Sequence, residues 1–122
     1  MSDCDFCQLV RDGAARPTWV ETLATSVVSV YPDQFYAGRI VLVYRHHIED
    51  MLTLPLEESQ RFYGEMLMVA QAVKDVNAGV RLNIAVMGNR VSHLHWHIIP
   101  RTDSDGHEKE APWPHPQAFA SN

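Results

Sequence analysis

Three histidines, His93, His95 and His97, occupy alternate positions of the stretch HLHWHII at residues 93–99. Alternation of period two is typical of a β-strand, so the three imidazoles are expected on one face and the apolar residues between them on the other. Neutral imidazole is a nucleophile near pH 7, and a neighbouring ring can donate a hydrogen bond to developing charge. The spacing therefore predicts a catalytic row, in which one histidine attacks and its neighbours orient it and bind the charge.

Two other interpretations of this row stay open on the residues alone. Two histidines separated by one residue on a strand form a good half of a zinc site, because both ligands point to the same face. In that case a metal-bound water would be the nucleophile of a zinc-dependent hydrolase. Alternatively, the histidines form only the polar outer face of an antiparallel strand. The strict alternation favours the catalytic interpretation.

The two cysteines of the chain, Cys4 and Cys7, are separated by two residues. A disulfide between them would close a very short loop and contribute little stability. The same spacing provides half of a tetrahedral zinc site, and the other ligands would then be histidines. A redox pair is less favoured because no thioredoxin-like strand precedes the cysteines. Zinc binding and two free thiols remain the alternatives.

Hydrophobic periodicity predicts the elements that must position these residues. A short helical turn is expected at residues 6–10, and strands at 19–22, 26–31, 39–44, 81–87 and 93–99. A long amphipathic helix is expected to start near residues 53–58 and to end near residues 77–79. Its apolar stripe consists of Phe62, Met66, Val69, Val73 and Val76. This order predicts an α+β fold, with an antiparallel sheet of about five strands covered on one face by the long helix.

Length and composition predict a single domain over residues 1–122, with a core at about 4–101 and an extended tail at 102–122. The net charge of −5 argues against a nucleic-acid partner bound through a broad basic face. It leaves room for a small anionic ligand. No stretch is apolar enough for a membrane span, and the N-terminus lacks the features of a signal peptide, so a cytoplasmic protein without a membrane partner is expected.

The stretch HLHWHII matches, without a mismatch, the motif of the histidine triad (HIT) superfamily of nucleotide hydrolases and transferases. The preceding Gly88-Asn89 resembles the Gly-Gln that often stands before this motif. The resemblance extends from Cys4 to about Arg101. It implies a HIT-like fold, a nucleotide or nucleotide conjugate as substrate, and a homodimer in which two subunits commonly join into a continuous sheet.

The resemblance also implies roles for individual residues. His95 corresponds to the family nucleophile, which forms a covalent nucleotidyl-histidine, and His97 would donate to the phosphate oxygens. Asn89 is expected to contribute to catalysis and to bind the phosphate or the bridging oxygen. No metal is required for this chemistry. A non-catalytic nucleotide-binding module is the remaining alternative, against which the intact His95 argues.

A zinc site is implied by the same resemblance, because several HIT proteins that start with Cys-x-x-Cys close a structural zinc site with two histidines. The corresponding set here is Cys4, Cys7, His47 and His93. The neighbouring His46 is an alternative to His47. Binding of His93 to zinc would remove it from catalysis and leave His95 and His97 free.

Two positions depart from the family pattern. Tyr31 stands where an acidic or amide side chain usually holds the ribose hydroxyls, and Asp33 is the nearby candidate to replace it. Arg90 stands where serine or threonine is common. Its guanidinium cannot be a general acid at neutral pH, but it can bind an anionic leaving group with two hydrogen bonds. In the tail, Trp113 is expected to cover a ligand or a partner subunit's site, as C-terminal aromatics do in some relatives.

Overall fold

The computed structural model describes residues 4–88, 91–102 and 110–112, and it shows a five-stranded antiparallel sheet with two α-helices. The strands are β1 (Trp19–Thr22), β2 (Ser26–Val30), β3 (Ile40–Tyr44), β4 (Arg81–Ala85) and β5 (His95–Arg101). The helices are α1 (Asp5–Asp12) and α2 (Leu56–Val76), and single 3-10 turns lie at Gly13–Ala15 and Met51–Thr53. The predicted α+β class, with one long and one short helix, is confirmed.

The strand order in the sheet is β1-β2-β3-β5-β4, so β5 lies between β3 and β4. The first three strands form a meander, and α2 then carries the chain across the sheet to β4. β5 is consequently paired on both sides, and its histidines lie near the centre of the sheet. His95 is opposite Val43 on β3, and His97 is opposite Val41.

One face of the sheet packs against α2. The helix contributes Phe62, Met66, Ala70 and Val73, which contact Leu42 and Ile98 of the central strands. Phe62 and Leu42 are completely buried. The apolar stripe predicted for this helix is correct except at Val76, which is 81% exposed because it is the last helical residue and extends past the sheet.

The opposite face, which carries His95 and His97, is covered by α1. Leu9 of α1 is buried against Val41 and Val43, and Phe6 packs against the same group. Cys4 caps this helix, because its sulfur accepts a hydrogen bond from the backbone N–H of Cys7. Both faces of the central sheet are therefore buried, and the alternating histidines do not form a solvent-exposed polar face.

The predicted boundary of the histidine strand is wrong at its start. Regular pairing begins at His95, and His93 lies in the connection just before β5. Leu94 lies outside the regular pairing of β5 and has its own backbone partners. Its N–H donates to the carbonyl of Ile48, and its carbonyl accepts from the N–H of Tyr44. In the part of the chain that the structure describes, no helix is long and apolar enough to span a membrane.

Candidate active site and metal centre

His95 and His97 form a directly hydrogen-bonded pair at the start of β5. Their Nε2 atoms are 3.0 Å apart, and the ring centroids are separated by 4.6 Å. The other nitrogen of His95, Nδ1, lies 2.6 Å from the backbone carbonyl oxygen of His93. A carbonyl can only accept, so His95 carries its proton on Nδ1, and its Nε2 keeps a lone pair.

The histidine pair lies in a nearly dry environment. His95 is 4% exposed and His97 is 7% exposed. The ring of Phe6 packs edge-on against His95, at a centroid distance of 4.7 Å. Helix α1 thus shields the pair from bulk water, and this shielding strengthens electrostatic interactions within the site.

Burial determines the charge state of the two rings. It lowers the pKa of His97 to about 3, with further contributions from His95 and the positive charge of Arg39. The pKa of His95 is also lowered, mainly by burial and despite its hydrogen bond to the carbonyl of His93. Both imidazoles are therefore neutral at physiological pH.

Arg39 is a site residue that the sequence analysis missed. It lies directly before β3, and one guanidinium nitrogen is 3.1 Å from Nδ1 of His97. The same guanidinium stacks on the ring of Tyr31, 4.1 Å from its centroid. The only available signal was an arginine beginning an otherwise apolar strand, and such a residue usually marks a solvent-exposed strand end.

Cys4, Cys7, His47 and His93 form a second cluster beside the histidine pair. One ligand atom from each residue lies within 4.8 Å of all the others. Nδ1 of His47 is 3.2 Å from the sulfur of Cys7, and Nδ1 of His93 is 3.5 Å from both sulfurs. The four residues expected from the resemblance are thus together and could hold a metal ion. His46, the alternative to His47, is not part of the cluster.

The orientation of the two histidine rings in this cluster suits a metal. Nε2 of His93 is 2.7 Å from the backbone carbonyl oxygen of Tyr44, so it donates there and leaves the lone pair of Nδ1 directed at the cysteines. Nε2 of His47 faces the carboxylate of Glu49 at 3.2 Å. Such outer hydrogen bonds are typical of histidine ligands of zinc. Two sulfurs and two imidazole nitrogens are also a common donor set for a closed tetrahedral zinc site.

The residues proposed to recognise the substrate have different positions. Tyr31 is buried, and its ring contacts that of His97 at a centroid distance of 5.8 Å. Asp33 is also buried, and one carboxylate oxygen accepts a hydrogen bond from the backbone N–H of Phe35, which stabilises the turn before β3. Asn89, Arg90 and Trp113 lie outside the described residues.

A cleft of about 250 Å³ opens between α1 and the sheet. His95 and His97 do not line it, but two of its lining residues, Phe6 and Tyr31, contact their rings. Its apolar wall consists of Phe6, Leu9, Val30, Tyr31, Pro32, Val41 and Val91. Its polar groups belong to Asp5, Gln8, Arg16, Thr18 and Ser29. An apolar wall with a few polar groups is typical of a small-molecule site.

Comparison with known proteins identifies the family. A family model of the HIT domain matches residues 22–104, which is more than half of the chain, and the protein therefore belongs to the HIT family. An uncharacterized HIT-like protein of Borreliella burgdorferi is 25% identical over 114 residues, which cover 87% of this chain and 81% of that protein.

Solved structures agree with this assignment. The chain is similar to a histidine triad protein of Bradyrhizobium japonicum, with 30% identity, a TM-score of 0.65 and coverage of 81% of this chain and 72% of that one. It also shares its fold with a HIT family member of Bacillus subtilis, with 22% identity, a TM-score of 0.76 and coverage of 93% and 83%. The recognition made from the histidine motif is confirmed.

The low pKa of His97 predicts how stability depends on pH. The unfolded chain takes up a proton on this ring below its ordinary pKa of 6.5, whereas the folded chain does so only near pH 3. The contribution of His97 to folding is therefore complete above pH 6.5 and is lost as the pH falls towards 3. We expect His97→Gln to flatten the pH dependence of the unfolding free energy in this window, by up to about 1.4 kcal/mol per pH unit.

Urea unfolding at a series of pH values measures this slope. His46→Gln is the matched control for the substitution itself, since it makes the same change at an exposed histidine outside the pair. Parallel curves for wild type and His97→Gln between pH 4 and 6.5 would contradict the assignment.

Proposed function

We propose that this HIT protein is a nucleotide hydrolase or nucleotidyltransferase, which cleaves a nucleoside monophosphate from a leaving group through a covalent nucleotidyl-histidine on His95. The observation that carries the proposal is the hydrogen bond between Nδ1 of His95 and the carbonyl of His93. It leaves the lone pair of Nε2 available for attack without a separate base. The buried neutral pair is suited to a reaction in which negative charge develops on phosphate oxygens.

The reaction proceeds in two displacements. Nε2 of His95 attacks the α-phosphorus, a bond forms between nitrogen and phosphorus, and the bond to the leaving group breaks. Nε2–H of His97, which faces His95 in the free protein, turns to a phosphate oxygen as charge builds up there. The oxygen of water, or of another acceptor, then attacks the phosphorus and forms a bond to it, the nitrogen–phosphorus bond breaks, and the proton of the acceptor is released to solvent. The nucleotide leaves, and His95 is restored. The leaving group can be a phosphate chain, an amine or a sulfate.

The cleft beside α1 supports a nucleoside as the group next to the phosphate. Phe6 and Leu9 of α1 and Val41 of β3 are among its lining residues, so the cleft offers apolar surface to a base. Tyr31 lines the same cleft and contacts His97, so it would bind the sugar by packing and by one hydroxyl. Asp33 is not among the lining residues and is the weaker candidate.

Three further binding roles are proposed from the sequence pattern. Asn89, which follows Gly88 before the triad, would bind the phosphate or the bridging oxygen. Arg90 would bind an anionic leaving group, and Trp113 would cover the ligand or the site of a partner subunit.

We also propose that Cys4, Cys7, His47 and His93 bind a structural zinc ion. A closed site of four protein ligands leaves no position for water, so the zinc would stabilise the fold rather than activate a nucleophile. It would connect α1 to the connection before β5 and so hold Phe6 over His95.

A homodimer is supported by the position of β4, which is the last strand in the described sheet. The other edge strand, β1, has only four residues and an irregular register, which disfavours pairing with a second sheet. Ile84 on β4 and Tyr63 and Leu67 on α2 are exposed apolar residues on the same side of the sheet. We propose that two chains join through β4 and this surface.

Replacement of the nucleophile tests the reaction. An alkyl side chain cannot form a bond to phosphorus, so His95→Ala should lower turnover of adenosine 5′-phosphoramidate by on the order of 10⁴-fold or more. Rapid quench and intact-mass measurement of the wild type should show an acid-labile adduct of one nucleotidyl group. His97→Ala is the matched variant, in which the reaction slows but the adduct still forms.

Near wild-type turnover by His95→Ala, or an adduct on another residue, would exclude the histidine nucleophile. If a chelator then abolished activity, a metal-bound water would be the better explanation. Binding of nucleotide without any turnover would instead indicate a non-catalytic binding module.

Metal content tests the zinc site. Freshly reduced wild type should contain about one zinc ion per chain, as a single tetrahedral site requires. His47→Gln should lose the ion, whereas His46→Gln, its neighbour outside the cluster, should retain it. Cys4→Ser should also lower the melting temperature, because zinc binding contributes to folding. Metal-free wild type, or equal zinc content in the two histidine variants, would refute the assignment.

Sedimentation velocity tests the dimer. The wild type should sediment at twice the chain mass of 13.9 kDa. Ile84→Lys should shift it to the monomer, because a charge on an edge strand opposes pairing. Leu52→Lys, at an equally apolar but 91% exposed position away from β4, should leave the dimer intact. A monomeric wild type would contradict the proposal.

A further inference from the structure

Arg39 occupies a position that is unusual for a charged side chain. It is 1% exposed, it stacks on Tyr31, and it points a guanidinium N–H at Nδ1 of His97. Removing a guanidinium from water is costly unless its hydrogen bonds are replaced. A buried arginine that contacts the histidine pair therefore requires an explanation beyond packing.

Arg39, His97, His95 and the carbonyl of His93 form a hydrogen-bonded row. The groups at its two ends determine which ring nitrogen of each histidine carries the proton. Guanidinium has donors only, so Nδ1 of His97 must accept, and a neutral His97 must then carry its proton on Nε2. At the other end, the carbonyl of His93 accepts from Nδ1 of His95, which leaves Nε2 of His95 without a proton. The contact of 3.0 Å between the two Nε2 atoms is then a hydrogen bond donated by His97 to His95.

We propose that Arg39 is the positioning residue that holds the proton of His97 on Nε2, where it faces the nucleophile and the incoming phosphate. The inference rests on the proposed function, because it assigns Arg39 a task in that reaction. In the opposite tautomer, His97 would present a lone pair to His95 and to the phosphate oxygens, and it would repel both. Arg39 thus acts through His97 and does not contact the substrate.

The charge of Arg39 adds a second effect in the same direction. A cation that donates to Nδ1 withdraws electron density from the ring, which makes Nε2–H a stronger donor. The same cation opposes addition of a second proton to His97, as the low pKa of this ring indicates. His97 therefore remains a neutral donor at neutral pH, with Nδ1 accepting from Arg39 and Nε2–H facing His95.

The tautomer can be measured directly, without substrate, by nitrogen–proton correlation NMR of the histidine rings in the full-length protein labelled with ¹⁵N. We expect His97 of the wild type to carry its proton on Nε2. Arg39→Met keeps most of the side-chain volume but removes the donors, so His97 should become a mixture of tautomers. Arg39→Lys supplies another donor-only group and should restore the Nε2–H form.

Arg101 provides the matched control. It is 2% exposed and also stacks on a tyrosine, Tyr36, but its N–H groups bind Asn83 and the carbonyl of Glu110 instead of a histidine. Arg101→Met should therefore affect stability without changing the tautomer of His97. If Arg39→Met fails to fold, the wild type and Arg39→Lys still test the inference. A proton on Nδ1 of His97 in either protein would contradict it.

Kinetics with adenosine 5′-phosphoramidate provide the second measurement. Arg39→Met should lower kcat by on the order of tenfold to a hundredfold, while KM changes little. This loss is no larger than the lower end of the 10²–10⁴-fold that a positioned acid–base group contributes, because His97 itself remains. A proton on Nδ1 of His97 in the wild type, or an unchanged tautomer in Arg39→Met, would overturn the inference. If the wild type shows the expected tautomer of His97 but no turnover, the proposed function is refuted, whereas the assignment of Arg39 to the tautomer is not.

Discussion

The position of His93 is the constraint on which both sites depend. Its Nδ1 faces Cys4 and Cys7, its Nε2 donates to the carbonyl of Tyr44, and its own carbonyl accepts from His95. One residue thus connects the cluster of Cys4, Cys7 and His47 with β3 and the histidine pair. A strictly regular strand would direct His93 to the same face as His95. His93 instead lies just before β5, with its ring directed at the cysteines and its backbone carbonyl hydrogen-bonded to His95.

The two helices cover both faces of the sheet, and this burial keeps the His95–His97 pair uncharged. If only α2 covered the sheet, the face that carries His95 and His97 would be open to water. Imidazoles there would titrate near their ordinary pKa. Phe6 and Leu9 of α1 cover this face, with Phe6 packed on His95. Burial, together with His95 and Arg39, lowers the pKa of His97 to about 3. The short N-terminal helix is therefore part of the site, and its cap, Cys4, belongs to the same cluster as His93.

Hydrophobic periodicity predicted the fold class and the elements, because it is a local signal. The resemblance to HIT proteins supplied the set Cys4, Cys7, His47 and His93, which the structure brings together. Neither signal predicted Arg39, whose burial depends on how β3 and the turn before it pack against β5. Periodicity also placed His93 in regular strand, since the alternation continues through residues that the backbone does not pair. Contacts between distant segments, such as that of Phe6 with His95, leave no periodic trace in either segment.

The row from Arg39 to the carbonyl of His93 has a single direction. A group that can only donate stands at one end and a group that can only accept at the other, so the two rings between them must each donate towards His93. Protonation of either ring would break this order, because an imidazolium has no lone pair with which to accept. Burial by α1 opposes that protonation. The apolar cover and the polar row are thus two parts of one arrangement: the first keeps the rings neutral, and the second determines which nitrogen carries the proton.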